Sequence, residues 1–102
     1  MPYVALLRIH LHFPDSGSLK SKRKELSSVK AQLHGRLGLA VAEVAHQDTW
    51  QRSELAGALV SGSLGTLERA VDTTCRWLDE RFPEGVRIER MIASFEDVEA
   101  VR

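Results

Sequence analysis

Cysteine is almost absent: Cys75 is the only one in the 102-residue chain. An intrachain disulfide is therefore excluded, and so is a small fold that leans on cross-links instead of a core. Nothing in the cysteine usage points to an oxidising compartment, and the expected location is cytoplasmic. Long apolar runs are absent too. The N-terminal VALLRIHLHF is broken by Arg8, His10 and His12 and falls far short of the ~20 residues that cross a bilayer. It has neither a basic leader nor a small-residue cleavage site, so it does not read as a signal peptide. No membrane partner is expected. Repeats, low-complexity stretches and linkers are missing, which leaves one domain over residues 1–102. Lysine is missing after residue 30, since all four lysines (Lys20, Lys22, Lys24, Lys30) fall in one segment.

The chain is 43% hydrophobic and 27% charged, an ordinary globular composition able to build a single core. The zero net charge hides an asymmetry. Residues 1–38 carry seven cations against Asp15 and Glu25, for +5, and residues 39–102 carry seven arginines against twelve acids, for −5. Such a split fits a polar molecule with a basic patch rather than a uniformly basic binder.

Hydrophobic spacing divides the chain into six elements. YVALLRIHLHF (3–13) alternates, with Ala5, Leu7, Ile9, Leu11 and Phe13 on one side and Val4, Leu6, Arg8, His10 and His12 on the other, as a strand with one mixed face does. After the turn residues Pro14, Asp15 and Gly17, residues 18–37 read as a helix with Leu19, Leu26, Val29, Leu33 and Leu37 on one stripe. Ser18 is its expected N-cap, with Ser21 as the later alternative, and Gly35 or Gly38 its closing residue. Residues 39–46 and 54–61, the latter extended back through Arg52, read as strands joined by HQDTWQR. A second helix over 64–82 shows Leu64, Leu67, Val71, Cys75, Leu78 and Phe82 as its stripe, Pro83 and Gly85 end it, and VRIERMIASF (86–95) is a last strand. The tail EDVEAVR is expected to be partly loose.

The order β-α-β-β-α-β is the ferredoxin-like α+β pattern: a four-stranded antiparallel sheet with two helices on one face. Small and aliphatic residues on both sides of the middle strands imply that the second face is also covered, by a partner.

SLKSKRKEL (18–26) and AVAEVAHQDTWQRSELAGALVS (40–61) resemble the YlxP-like family of small uncharacterised bacterial proteins, over nearly the whole chain. The resemblance implies a ferredoxin-like fold, a cytoplasmic location and frequent gene neighbourhood with translation and ribosome-maturation factors. It brings no reaction and no catalytic residues.

The most informative stretch for function is SGSLKSKRKE. Four cations, Lys20, Lys22, Arg23 and Lys24, stand at the start of a helix, with no acid before Glu25. That end of a helix is electropositive and prefers anions, so each exposed cation in the first turn costs ~0.3–1 kcal/mol. A phosphate-rich partner would reverse the penalty. Ser18, Lys20, Ser21, Lys22, Arg23, Lys24 and Lys30 form the candidate anion or RNA site; the plainer reading is a solvated face whose long stems cover apolar edges. The Walker pattern is absent. The third strand has no aromatic between Glu54 and Ser61, so base stacking on the sheet is not expected and RNA contact would fall mostly on phosphate.

Arg8, His10, His12, Trp50 and Arg52 are the candidate interface residues, because exposed tryptophan and arginine are enriched where proteins meet. His10 and His12 share a strand face but have no partner cysteines or histidines in ligand spacing, so no metal is expected. An acylphosphatase-like hydrolase would need an arginine in the loop before the first helix, and PDSGSLKS has none. The sequence reads as a non-enzymatic protein with no cofactor and no small-molecule substrate. It would associate with RNA or the ribosome through the basic helix start and form homo-oligomers through the open sheet face or an edge. An interaction or regulatory module without RNA binding is the alternative, and a phosphate-ester hydrolase a weaker one.

Overall fold

The computed structural model describes residues 1–101. Its elements are β1 (Tyr3–His12), α1 (Leu19–Gly35), β2 (Ala40–Ala45), β3 (Arg52–Ser61), α2 (Leu64–Arg81), β4 (Val86–Ser94) and α3 (Phe95–Ala100). The four strands form one sheet in the order β2-β3-β1-β4, with every neighbouring pair antiparallel. This is the ferredoxin-like topology expected from the element order, with one helix added at the end.

The alternation in β1 decides which face is buried. Ala5, Leu7, Ile9 and Leu11 are at most 3% exposed. They pack with Leu26, Val29 and Leu33 of α1 and Leu67, Val71 and Leu78 of α2 in one continuous cluster. Each large aliphatic buried in this way contributes about 1.5–3 kcal/mol against leaving it in water. Phe13 continues the line beyond the strand and meets Phe82 edge to face, ring centres 5.6 Å apart.

Ser18 caps α1, its hydroxyl accepting from the Ser21 backbone N–H. At the other end Gly38 takes a left-handed φ of 75°. The Gly38 N–H donates to the His34 carbonyl, the single five-to-one bond of an αL closure, and the Leu39 N–H donates to the Leu33 carbonyl. Leu33 and Leu39 are both fully buried beside it. Gly57 is required by close approach: a Cβ there would lie 2.6 Å from Leu39 Cδ2.

Three details differ from the sequence expectation. Lys22 fills the vacant step of the α1 stripe between Leu19 and Leu26 and is buried. In α2 the inward position falls on Thr74 rather than on the half-buried Cys75. Thr74 tolerates it because its hydroxyl donates to the Ala70 carbonyl at 2.8 Å, while Leu64 at the helix start is 41% exposed. Through Ala100 the tail is helical rather than loose. β4 stops at Ser94, which opens α3 with a reciprocal capping box: Ser94 Oγ accepts from the Asp97 N–H, and the Asp97 carboxylate accepts from the Ser94 N–H. The bond from the Ser94 backbone N–H holds the Asp97 carboxyl below its ordinary range, with the Ser94 hydroxyl adding to the effect.

Candidate functional site

The SLKSKRKE and AEVAHQDTWQR segments lie far apart in sequence and meet at one end of the molecule. Lys22 carries its ammonium inward, and its side chain is 1% exposed. The ammonium donates to the His46 carbonyl and lies 3.7 Å from Glu43 Oε2. Ser53 Oγ donates to the same carboxylate oxygen at 3.1 Å. One turn position further, Arg23 Nη2 donates to the Gln47 carbonyl at 3.2 Å. Helix α1 thus grips two successive carbonyls of the β2–β3 connection. His46, between them and β2, is the one non-glycine residue with positive φ, at 65°, among the described residues. That conformation is costly for a side-chain-bearing residue, and the charged donor on its carbonyl offsets the strain. A bulge between Glu43 and Ala45 in the β2–β3 pairing re-aims the chain just before it. On its far side the connection is tied to the β1–α1 loop: the Phe13 N–H donates to the Gln51 carbonyl, and Gln51 Nε2 donates to the Pro14 carbonyl.

This geometry sorts the candidate anion residues. Lys22 is withdrawn from the set, because its ammonium is enclosed by Glu43 and the His46 carbonyl and does not face solvent. Ser18 and Ser21 serve the cap. Lys20, Arg23 and Lys24 are exposed, and Lys30 is half-buried further along the helix. Trp50, 53% exposed, stands on the connection that Lys22 and Arg23 hold. A feature invisible in the sequence follows: the exposed cations and the exposed tryptophan belong to the same end of the fold.

The other interface candidates lie on the face of the sheet opposite the two long helices. Register places His12 beside Arg52, His10 between Glu54 and Arg87, and Arg8 between Ala56 and Glu89. Arg8 pairs with Glu89 at 3.3 Å and Glu54 at 3.7 Å, and His10 Nε2 lies 2.9 Å from Glu89 Oε1. An ionised carboxylate only accepts, so Nε2 carries the proton of that bond. The His10 bond holds the Glu89 carboxyl below its ordinary value, with Arg8 and Arg87 adding attraction. Toward the other end of the strands the same face turns apolar, with Leu6 beside Ala58 and Met91, and Val4 beside Val60 and Ala93. Val98 and Val101 wall this apolar end and, with Met91 and Ala93, line a groove of about 400 Å³. A second cleft, about 310 Å³, lies where Phe13, Asp15, Glu25, Arg81 and Glu84 converge. Its arginine is already held by Glu25 at 3.2 Å and lies over the Phe82 ring.

The fold and its surfaces define a ferredoxin-like domain with one sheet face uncovered and a cationic, tryptophan-bearing end. The architecture is shared with a solved structure, the de novo designed protein Foldit4, at a TM-score of 0.58 over 92% of this chain and 98% of that one. At 12% identity the likeness concerns the fold alone. The sequence carries the assignment further. The family model described as protein of unknown function (DUF503) matches residues 4–91. The uncharacterized protein YlxP of Bacillus subtilis (strain 168) is 35% identical over 82 residues, 80% of this chain and 85% of the relative. The chain belongs to the DUF503 family, and the YlxP-like resemblance of its two motif segments holds. The family match ends at Met91, before α3.

Proposed function

We propose that this is a non-enzymatic RNA-associated protein that contacts phosphates through Lys20, Arg23 and Lys24, with Trp50 beside them as a stacking or docking side chain. The observation that carries the reading is the clamp of α1 on the β2–β3 connection, which joins three exposed cations and an exposed indole on one rigid end. Cations that follow a backbone, together with an aromatic that stacks on any base, are the usual parts of a sequence-tolerant RNA surface. The central positions of the sheet face, Arg8, His10 and Ala56, include no Phe, Tyr or Trp, and the His10 imidazole is engaged by Glu89, which disfavours base reading there.

The test is purification from native lysate at low salt with sequencing of co-purifying RNA, followed by binding of that RNA across a salt series. Reversing Lys20, Arg23 and Lys24 to Glu should abolish retention, and the wild-type salt slope should correspond to about two to three phosphate contacts. Protein free of RNA at low salt would defeat the reading. A protein-interaction module is the second reading, favoured by the exposed apolar half of the sheet face; under it the same charge reversal changes assembly and RNA is never retained.

A further inference from the structure

The uncovered sheet face is graded along its strands. Leu6, Val60 and Met91 are 48%, 79% and 59% exposed at the end near α3. The alanines Ala40, Ala42, Ala56 and Ala58 lie beside them on β2 and β3. Arg52 and Arg87 stand at the opposite end with His10 and His12. Helix α3 carries Glu96, Asp97 and Glu99 at the apolar end, where Val98 approaches Met91 and Ala93. The face is therefore acidic at one end and apolar between; at the other end Arg8, Arg52 and Arg87 outnumber Glu54 and Glu89 by one, with Arg87 3.0 Å from Glu89.

We propose that this face is the interface of a homodimer, two copies stacked sheet on sheet about a two-fold axis that lies in the interface and runs across the strands. Such an axis reverses strand direction in the second copy. The apolar halves then overlap, with Leu6 and Met91 near the axis and Val60 of each copy above Ala56 of the other. Glu96 and Glu99 of each copy come over the Arg52 and Arg87 end of the other. An axis along the strands would stack arginine on arginine and acid on acid, and is disfavoured for that reason. The same patch serves both copies, as a closed two-fold assembly demands. With the axis at Leu6 the sheets overlap over residues 3–9 of β1 and their neighbours, roughly 400 Å² by strand spacing and rise, and the α3 ridge of each copy adds to this toward the ~800 Å² per partner of a standard stable interface. Charge complementarity within one chain is what selects a second copy as the occupant over an unrelated protein. The dimer leaves Lys20, Lys24 and Trp50 outside the interface and stands or falls independently of RNA association.

Sedimentation equilibrium of the full chain tests it, with circular dichroism melts as the fold control. The wild type should be dimeric at micromolar concentration, and Leu6→Asp with Val60→Asp should be monomeric and folded. Arg87→Glu should weaken the dimer about tenfold at low salt, and adding Glu96→Arg and Glu99→Arg should restore it. Should the aspartate variant fail to fold, the charge set decides, since it alters only exposed side chains. A wild type that stays monomeric, a dimer indifferent to these changes, or a monomer whose sheet face binds only a different protein would each overturn the proposal.

Discussion

Replacing Lys22 by Met keeps an unbranched side chain on the α1 stripe and removes only the ammonium. Two consequences add. The His46 carbonyl loses a charged donor, worth ~1.5–3 kcal/mol. Glu43, with a side chain 12% exposed, keeps the Ser53 hydroxyl but loses its cation; breaking a buried pair costs up to about 3–5 kcal/mol when the remaining charge is fully enclosed. Glu43 retains some solvent, which places its share at the low end. The lost donor is the same contact that holds the left-handed His46, so it is counted once. Methionine at a buried position of the stripe that continues through Leu26 and Val29 offsets part of the sum. The expected net loss is ~2–4 kcal/mol, or about 10–25 °C in Tm for a domain of this size. Urea unfolding and thermal melts measure it, with Lys20→Met and Lys24→Met as exposed controls on the same helix, each expected within about 0.5 kcal/mol of wild type. Adding Glu43→Gln to Lys22→Met should recover part of the loss, since the uncompensated charge goes with it. If Lys22→Met is no worse than Lys24→Met, or if the double variant loses the full sum of the singles, the clamp described above is not what fixes the connection.

Two further outcomes follow from the packing and the ion cluster. Gly57→Ala should cost about 1–3 kcal/mol through overpacking against Leu39, whereas Gly62→Ala, with nothing within 4 Å of the new methyl, should be near neutral by the same urea titration. For Glu89, a carboxyl whose folded pKa lies below its ordinary 4.5 stabilises the fold above that value and loses its contribution as pH falls through the depressed one. Glu89→Gln should therefore lower Tm at neutral pH, and the gap to wild type should narrow as pH falls below 4.5 and through the depressed value; a gap that is constant or widens on acidification would refute the role assigned to the His10 bond.

The fold was legible wherever a period was long enough to count. Five inward residues in β1 and the stripes of two long helices settle the layers, and turn residues settle the order. α3 escaped because six residues span less than two helical turns, too few for a stripe, although Ser94 and Asp97 form a cap visible in the sequence. Lys22 was the instructive miss. Its position between Leu19 and Leu26 marks it as inward, but its charge groups it with its exposed neighbours. Only the placement of Glu43 and the His46 carbonyl opposite it makes the burial of an ammonium tolerable, and neither is near Lys22 in sequence. The meeting of Trp50 with the α1 cations was hidden for the same reason. The open face, by contrast, was readable from the alternation of Leu6, Arg8 and His10, though its grading from apolar to charged needed the register of β3 and β4.

The central position of β1 has a consequence for how the sheet is completed. Tyr3 pairs with Ser61 on one side and Ser94 on the other, and Leu11 with Ser53 and Val86. The strand on which both flanks depend is made before either flank exists. Closing such distant pairs is slow in chain-entropy terms. Until β4 emerges, β1 has one unprotected edge, a condition in which nascent chains stick to one another. The last strand added is thus the one that shields the first.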